Sequence, residues 1–305
     1  MPAERTVRQL RVRAPDEALA RRARLVLEDA LRTASLPGQG AAVVLVRRLR
    51  LPPFRETAAP QSVALALEAY CRSLTILPVV ASTPENELAV ATAVRFRDPL
   101  QVRLELGARV VNGVRPHAWC WPLAVPGFRA GLDVGEALRV IALSIAALPE
   151  ADAALPLWLN DVVIRGAAPR LLGGLSASDA ASLVAAMPSV ARVSALRAAD
   201  GAGNTVPPGS DMQQEASALQ HNLPAGWSQA LRWARRYLEP SDARWRLLAA
   251  CAHSILRMPA SAAAARLAMM TMRRSTDVHP APTRSGRAAV DGRTLATEVR
   301  HPADL

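Results

Sequence analysis

The chain has no lysine; all 37 of its basic residues are arginine. That absence removes the lysine-bearing GxxxxGK[ST] phosphate loop outright. The glycine-rich stretches offer no substitute. "PGQGAAV" lacks a third glycine and leads into a strand, whereas a dinucleotide loop must follow a strand and open a helix. "GGLSASD" lacks the second glycine of a nucleophile elbow. Aromatics are also scarce, at 4%. The apolar half of the chain is mostly Ala, Leu and Val, which favours closely packed helices over an aromatic-rich sandwich. Cysteines number three, Cys71, Cys120 and Cys251, far apart in the chain. That odd number argues against a disulfide framework and fits a reducing compartment. The longest uncharged apolar run, "VIALSIAAL" at Val140–Leu148, falls far short of the ~20 residues a membrane helix needs. The N-terminal "MPAERTVRQLRVR" has no apolar core behind its charges, unlike a signal peptide. These absences predict a soluble, cytoplasmic protein with no membrane insertion.

With 305 residues, half of them hydrophobic, and a mean hydropathy of +0.11, the chain has enough apolar material for a large core. The net charge is +11 and is unevenly placed. Residues 1–51 carry +6, residues 52–225 carry −2, residues 226–274 carry +7, and the remaining tail is neutral. The pI near 11.2 overstates the imbalance, because guanidinium stays charged far above neutral pH. An arginine-only, alanine-rich composition also has a bland cause, since GC-rich genomes encode it. Two basic ends around a neutral middle suit an acidic protein partner or nucleic acid.

Periodicity predicts an α+β chain. "TVRQLRVRA" alternates, with Leu10 and Val12 on one face and Arg11 and Arg13 on the other, as a half-buried strand does. Pro15, Asp16 and Glu17 then open a helix with the apolar stripe Leu19, Ala23, Val26, Leu27, Ala30 and Leu31. "PGQG" stops it, and "AAVVLVRRLRL" alternates again, with Arg48 and Arg50 outward. This N-terminal strand–helix–strand unit is read as a βαβ or split βαβ. A helix over residues 59–74 follows, and "ELAVATAVRF" is a strand or a helix running into one. Asp98 and Pro99 have N-cap and first-turn character, and Asn112–Gly113 closes that helix. Asp133 and Glu136 have capping-box spacing before "ALRVIALSIAAL". "PLWLNDVVIRG" and "SDAASLVAAM" read as short helices, and three more follow "DGAGNTVPPGSDMQQEASALQHNLPAG". The predicted organisation is an α+β domain at 1–130, helical segments at 131–199 and 227–274, a linker or long loop at 200–226, and a disordered tail at 275–305.

"RPHAWCWPLAVPGF" concentrates His117, Trp119, Cys120 and Trp121. A structural zinc site needs four ligands, usually in CxxC-like pairs, and the other cysteines bring none. Cys251 has only His253 close by in sequence. A Cys/His nucleophile needs a third group to orient the base, and none is nominated. The sequence therefore predicts no catalytic residue, no metal site and no cofactor. Trp119 and Trp121 read instead as anchors, pointing the same way from an extended segment into a core. The arginine runs nominate Arg11, Arg13, Arg48, Arg50, Arg235, Arg236, Arg244 and Arg246 as partner-binding residues. In "ALRWARRYLEPSDARWRLL", tryptophans interleave with arginines, a pattern that single-stranded nucleic acid binders share.

Taken as a unit, the first strand, "APDEALARRARLVLEDALRTASLP" and "VVLVRRLRL" resemble the N-terminal portion of tape-measure-type proteins of contractile injection systems. Those carry a polar strand, a Leu/Arg/Glu helix ending near Leu-Pro, and a strand reading roughly Val-Arg-Leu. "AVATAVRFRDPLQVRLELGARVVNGVRPHAWCWPL" resembles a region of proteins that accompany such phage-tail-like machines, with a Trp-x-Trp element after a helix. "DAALPLWL" is similar to that family's leucine–proline–tryptophan stretch, so the likeness covers about the first 165 residues. Two departures matter: the chain is too short and too often broken by proline for a long tape-measure helix, and "PPF" follows Leu51 where the family has an aspartate-containing strand end. The resemblance thus implies a tail-assembly or baseplate-associated accessory protein with no catalytic residue, and the arginine-rich segments point to acidic surfaces on its partner subunits. The alternative is a basic nucleic-acid-binding or regulatory protein using the 226–274 helices. An enzyme ranks third, because catalysis should leave a convergent set of titratable groups.

Overall fold

Asp16 starts the first helix, its carboxylate accepting the Leu19 N–H at 2.8 Å. That helix, α1 (Glu17–Thr33), packs its Ala30 and Leu27 face on α2 (Pro60–Ser73), which supplies Val63, Ala64 and Leu67. Between them lies β1 (Val43–Val46), and after α2 come β2 (Ile76–Pro78), α3 (Glu85–Val90) and β3 (Ala93–Phe96). The structure, a computed structural model, describes residues 5–36, 41–55, 57–188, 223, 225–239 and 241–257.

The sheet is small and mixed. Its order is β1-β3-β2, with β1 antiparallel and β2 parallel to the central strand. β3 is buried except at Arg95, and its Val94 and Phe96 enter the main core. The remaining elements are helical. They are α4 (Pro99–Val111), α5 (Trp121–Ala124), α6 (Val134–Ala146), α7 (Ala151–Ile164), α8 (Ala168–Gly174), α9 (Ala177–Ala185), α10 (Ala225–Tyr237) and α11 (Ala243–Arg257). The chain is therefore α+β with a mainly helical remainder.

Local sequence explains most boundaries. Asp98 accepts from Gln101 N–H at 2.6 Å with Pro99 behind it, and Asn112 ends α4 before Gly113 at φ +76°. Asp133 accepts from Glu136 N–H at 3.0 Å, and Ser176 and Asp179 form a reciprocal capping box on α9. "ELAVATAVRF" takes its second option, helix to Val90 and strand from Ala93.

Three expectations change. Residues 5–14 form no strand; they are irregular and exposed, with Leu10 42% accessible. The segment has four arginines and no acid, and a strand without a neighbouring edge has nothing to satisfy its backbone. Nor is there a βαβ or split βαβ unit: β1, α2 and β2 follow one another in the chain, but β1 and β2 run antiparallel to each other on either side of β3. Trp119 and Trp121 do not lie on an extended segment, since Trp119 is in a turn and Trp121 opens α5. Finally, the 130/131 boundary does not divide the core. One apolar cluster runs from Val79 on through Phe128, Leu138, Trp158 and Leu183 to Ala252, while α1 and α2 keep a small cluster of their own. The linker expected at 200–226 lies outside the described residues up to 222 and at 224, and α10 already begins at Ala225. The helix expected over 260–274 and the tail at 275–305 lie wholly outside them.

α6 and α8 meet backbone to backbone. A Cβ on Gly174 would stand 2.7 Å from the Gly135 carbonyl, so only glycine permits this crossing. It places the N-termini of α6 and α9 on one side of the molecule.

Candidate functional site

The densest set of polar contacts surrounds Glu85, the first residue of α3. Its Oε1 accepts from the backbone N–H of His117 (2.8 Å) and Ala118 (2.8 Å) and from the Trp121 indole N–H (2.9 Å). Its Oε2 faces Arg109 Nε at 3.3 Å. Arg109, buried on α4, also contacts the Glu105 carboxylate at 3.3 Å and donates to Thr83 C=O at 2.7 Å. Its guanidinium lies 5.0 Å over the Trp121 ring, whose other neighbour is Phe96 at 5.8 Å. Trp119 donates to Ala91 C=O, at the other end of α3, at 3.1 Å. The two tryptophans thus clamp α3 at both ends. A tryptophan can pack its ring and still satisfy one N–H.

This centre is a brace. Glu85 Oε1 accepts three N–H groups and most Arg109 donors are engaged, while the buried Oε2 has the Arg109 charge at 3.3 Å and no hydrogen bond among the described residues. Cys120, between the tryptophans, faces the core while His117 is exposed with Nδ1 3.2 Å from Arg115 O, so the i, i+3 pair of the sequence does not converge. Burial, with the Glu85 charge second, pushes the Cys120 thiol up to about 12. Burial alone pushes Cys251 to about 12 and raises Cys71. Cys251 donates to the Met187 thioether at 3.8 Å. A neutral thiol is a poor nucleophile. At pH ~8 a thiol reagent should leave Cys120 and Cys251 unlabelled in the native protein and label them after urea unfolding. Rapid native labelling of Cys120 would contradict the buried geometry. No group of three or more His, Cys, Asp or Glu that could hold a metal occurs among the described residues.

An open cleft of about 750 Å³ lies where α6, α8 and α9 meet, lined by Asp133, Arg139, Arg170, Ser176 and Asp179 among others. Two helix N-termini open on it, and in each the cap side chain, Asp133 or Ser176, already accepts the third N–H, from Glu136 and Asp179. Arg139 and Asp179 form a bidentate pair at 2.7 and 3.2 Å. That hydrogen bonding, with the Ser176 contacts, holds the Asp179 carboxyl well below its ordinary 3.8. A carboxyl depressed in the folded chain stabilises it above the unfolded pKa, and the contribution is lost as pH falls through the folded value. Between about pH 5 and pH 3, the urea midpoint should therefore fall further for the wild type than for Asp179→Asn. Equal slopes would show the pair to be energetically idle.

The nominated arginines divide by context. Arg11 and Arg13 are exposed on the irregular N-terminal segment, Arg48 and Arg50 lie exposed beyond β1, and Arg235 and Arg236 stand exposed in the last turn of α10. Arg246 is exposed on α11. Arg244 differs, because it chelates Asp242 through Nε and Nη2 (3.1 and 2.7 Å) and donates to Leu172 C=O at 3.3 Å. It ties α11 to α8 and belongs to the scaffold. The nominated residues lie on four segments: the irregular residues 5–14, the chain after β1, α10 and α11. The tryptophans of the C-terminal helices split likewise. Trp227 is buried and donates to Asn160 Oδ1 at 2.8 Å, and Trp245 is buried. Trp233 is half-buried with its ring 5.2 Å from Tyr237.

Glu85 was missed in the sequence. Its signal was only an acid behind Pro84 at a helix start, whereas its partners lie up to 36 residues away. Glu105 and Arg109 have i, i+4 spacing, which in sequence reads as a solvated surface pair.

No family model, no curated protein and no solved structure matches the chain.

Proposed function

We propose that the chain is a non-enzymatic structural or assembly factor, accessory to a phage-tail-like contractile injection particle, acting through contacts with acidic surfaces of other subunits. The observation that carries the binding role is how ionised groups are divided. Glu85, Glu105, Asp179 and Asp242 are engaged within the fold, whereas Arg11, Arg13, Arg48, Arg50, Arg235 and Arg246 are exposed with no ion pair among the described residues. Exposed arginines in such runs keep their field for a partner and raise association rates. The particle itself rests on the N-terminal resemblance. Deleting the gene in its host should abolish intact sheathed particles in electron micrographs. The wild-type gene should restore them, and a folded variant with Arg48→Glu, Arg50→Glu, Arg235→Glu and Arg236→Glu should not. Normal particles in the deletion strain would overturn the proposal.

One observation favours a second reading, nucleic-acid binding. Tyr237 is 59% accessible, is backed by Trp233, and carries the Arg236 guanidinium 5.5 Å over its ring. An exposed ring among arginines can stack a base. On that reading, affinity for a single-stranded oligonucleotide falls steeply with salt and weakens in Tyr237→Ala. An absence of binding at ~50 mM salt ends it.

A further inference from the structure

The two edges of the small sheet differ. Val79 N–H donates to Arg95 C=O at 2.9 Å, so in β2 the alternate residues Ile76 and Pro78 turn their backbone outward. Pro78 has no N–H to offer, and that edge is blunted as natural edges often are. β1 has no such protection. Arg47 N–H donates to Thr92 C=O at 2.9 Å, which makes Leu45 and Val43 the residues bonded to β3 and turns Val44 and Val46 outward. Their N–H and C=O groups form no hydrogen bond among the described residues. The open register ends at Arg48, whose carbonyl accepts from Tyr70 OH at 3.2 Å.

The side chains agree with the backbone. Val43 and Leu45 pack on the main core, whereas Val44 and Val46 belong to neither apolar cluster. Arg95, exposed, lies on β3 across from Val44, and Arg48, exposed, lies two residues beyond Val46 past a bend at Arg47. An incoming strand would meet two valines and then arginine. A second copy of this chain brings the wrong charge to such an edge. Its strand-patterned segment, residues 5–14, carries Arg5, Arg8, Arg11 and Arg13 and no acid, and like charges across a strand pair repel.

We propose that the outer edge of β1 is a docking site for an extended segment of a partner protein, alternating apolar and acidic residues, added to the sheet as a fourth strand. Backbone bonds to Val44 and Val46 give the affinity, and acidic side chains beside Arg48, with the field of Arg95 one strand further in, give the selectivity. This deepens the assembly reading and rests on it only for the partner's class. Normal particles without the gene would overturn that reading while leaving the edge to be judged by its own measurement.

The probe is an acetylated eight-residue peptide of alternating valine and glutamate, added to the full chain, with a valine–arginine peptide as control. Hydrogen exchange at Val44 and Val46 should slow with the acidic peptide, while Val43 and Leu45, already bonded to β3, should not change. Val46→Pro removes an outward N–H but no bond of the existing sheet, and should weaken binding at least tenfold. Arg48→Glu, which alters no sheet bond, should do the same and favour the basic peptide. Binding without protection at Val44 and Val46, or no binding, overturns the proposal. Protection that appears on concentrating the chain alone, with a dimer in sedimentation, overturns the acidic partner in favour of a second copy.

Discussion

Glu85→Ala is expected to lower the unfolding free energy by about 3–5 kcal/mol, the range for breaking one side of a buried ion pair. The carboxylate receives N–H groups from His117, Ala118 and Trp121 within 2.9 Å and faces Arg109 at 3.3 Å. Alanine leaves those donors without an acceptor and leaves Arg109 with Glu105 as its remaining charged partner. Glu85→Gln keeps an oxygen for the N–H groups but turns away the charge, so it should cost less, about 1–3 kcal/mol. Urea unfolding with an unchanged m-value measures both. A loss under about 1 kcal/mol for the alanine variant would show that relaxation or water replaces the carboxylate.

Trp121→Ala is expected to cost about 3–5 kcal/mol as well, the usual penalty for truncating a buried aromatic. The side chain is fully buried between Phe96 and Arg109, so its removal leaves a cavity in the main core. Because Glu85 and Trp121 touch, the double variant should lose less than the two losses added, with a coupling of about 0.5–3 kcal/mol. Strict additivity would mean that the indole N–H bond to Glu85 contributes nothing. A Trp121→Ala protein as stable as the wild type would remove the anchor altogether.

Local grammar was legible without coordinates. Asp16, Asp98 and Asp133 start helices because a side-chain oxygen in that position satisfies an N–H that the helix itself cannot. The α+β class followed from where alternation gave way to helical spacing, and the burial of Trp121 followed from its size. Three elements escaped, α5 among them, since its first residue was read as part of an extended segment. β2, three residues ending at Pro78, is too short to show a period, and α8 is largely hidden behind Pro169 and two glycines.

The N-terminal segment marks the limit most clearly. Residues 6–14 alternate like a strand, yet a strand is completed by the backbone of another, and pattern does not say which edge is offered. The same holds for charge. The sequence by itself determined that arginine is in excess over residues 1–51 and 226–274 and that α1, α4 and α6 begin at capping aspartates. Only the tertiary structure decided that Arg109 is buried and Arg244 is tied to Asp242 and α8 while Arg48 and Arg246 stay out, and that Glu85 joins segments more than thirty residues apart. The reason is physical: a guanidinium reads the same in any sequence, and its role depends on which carboxylate or carbonyl the fold brings within about 3 Å of it.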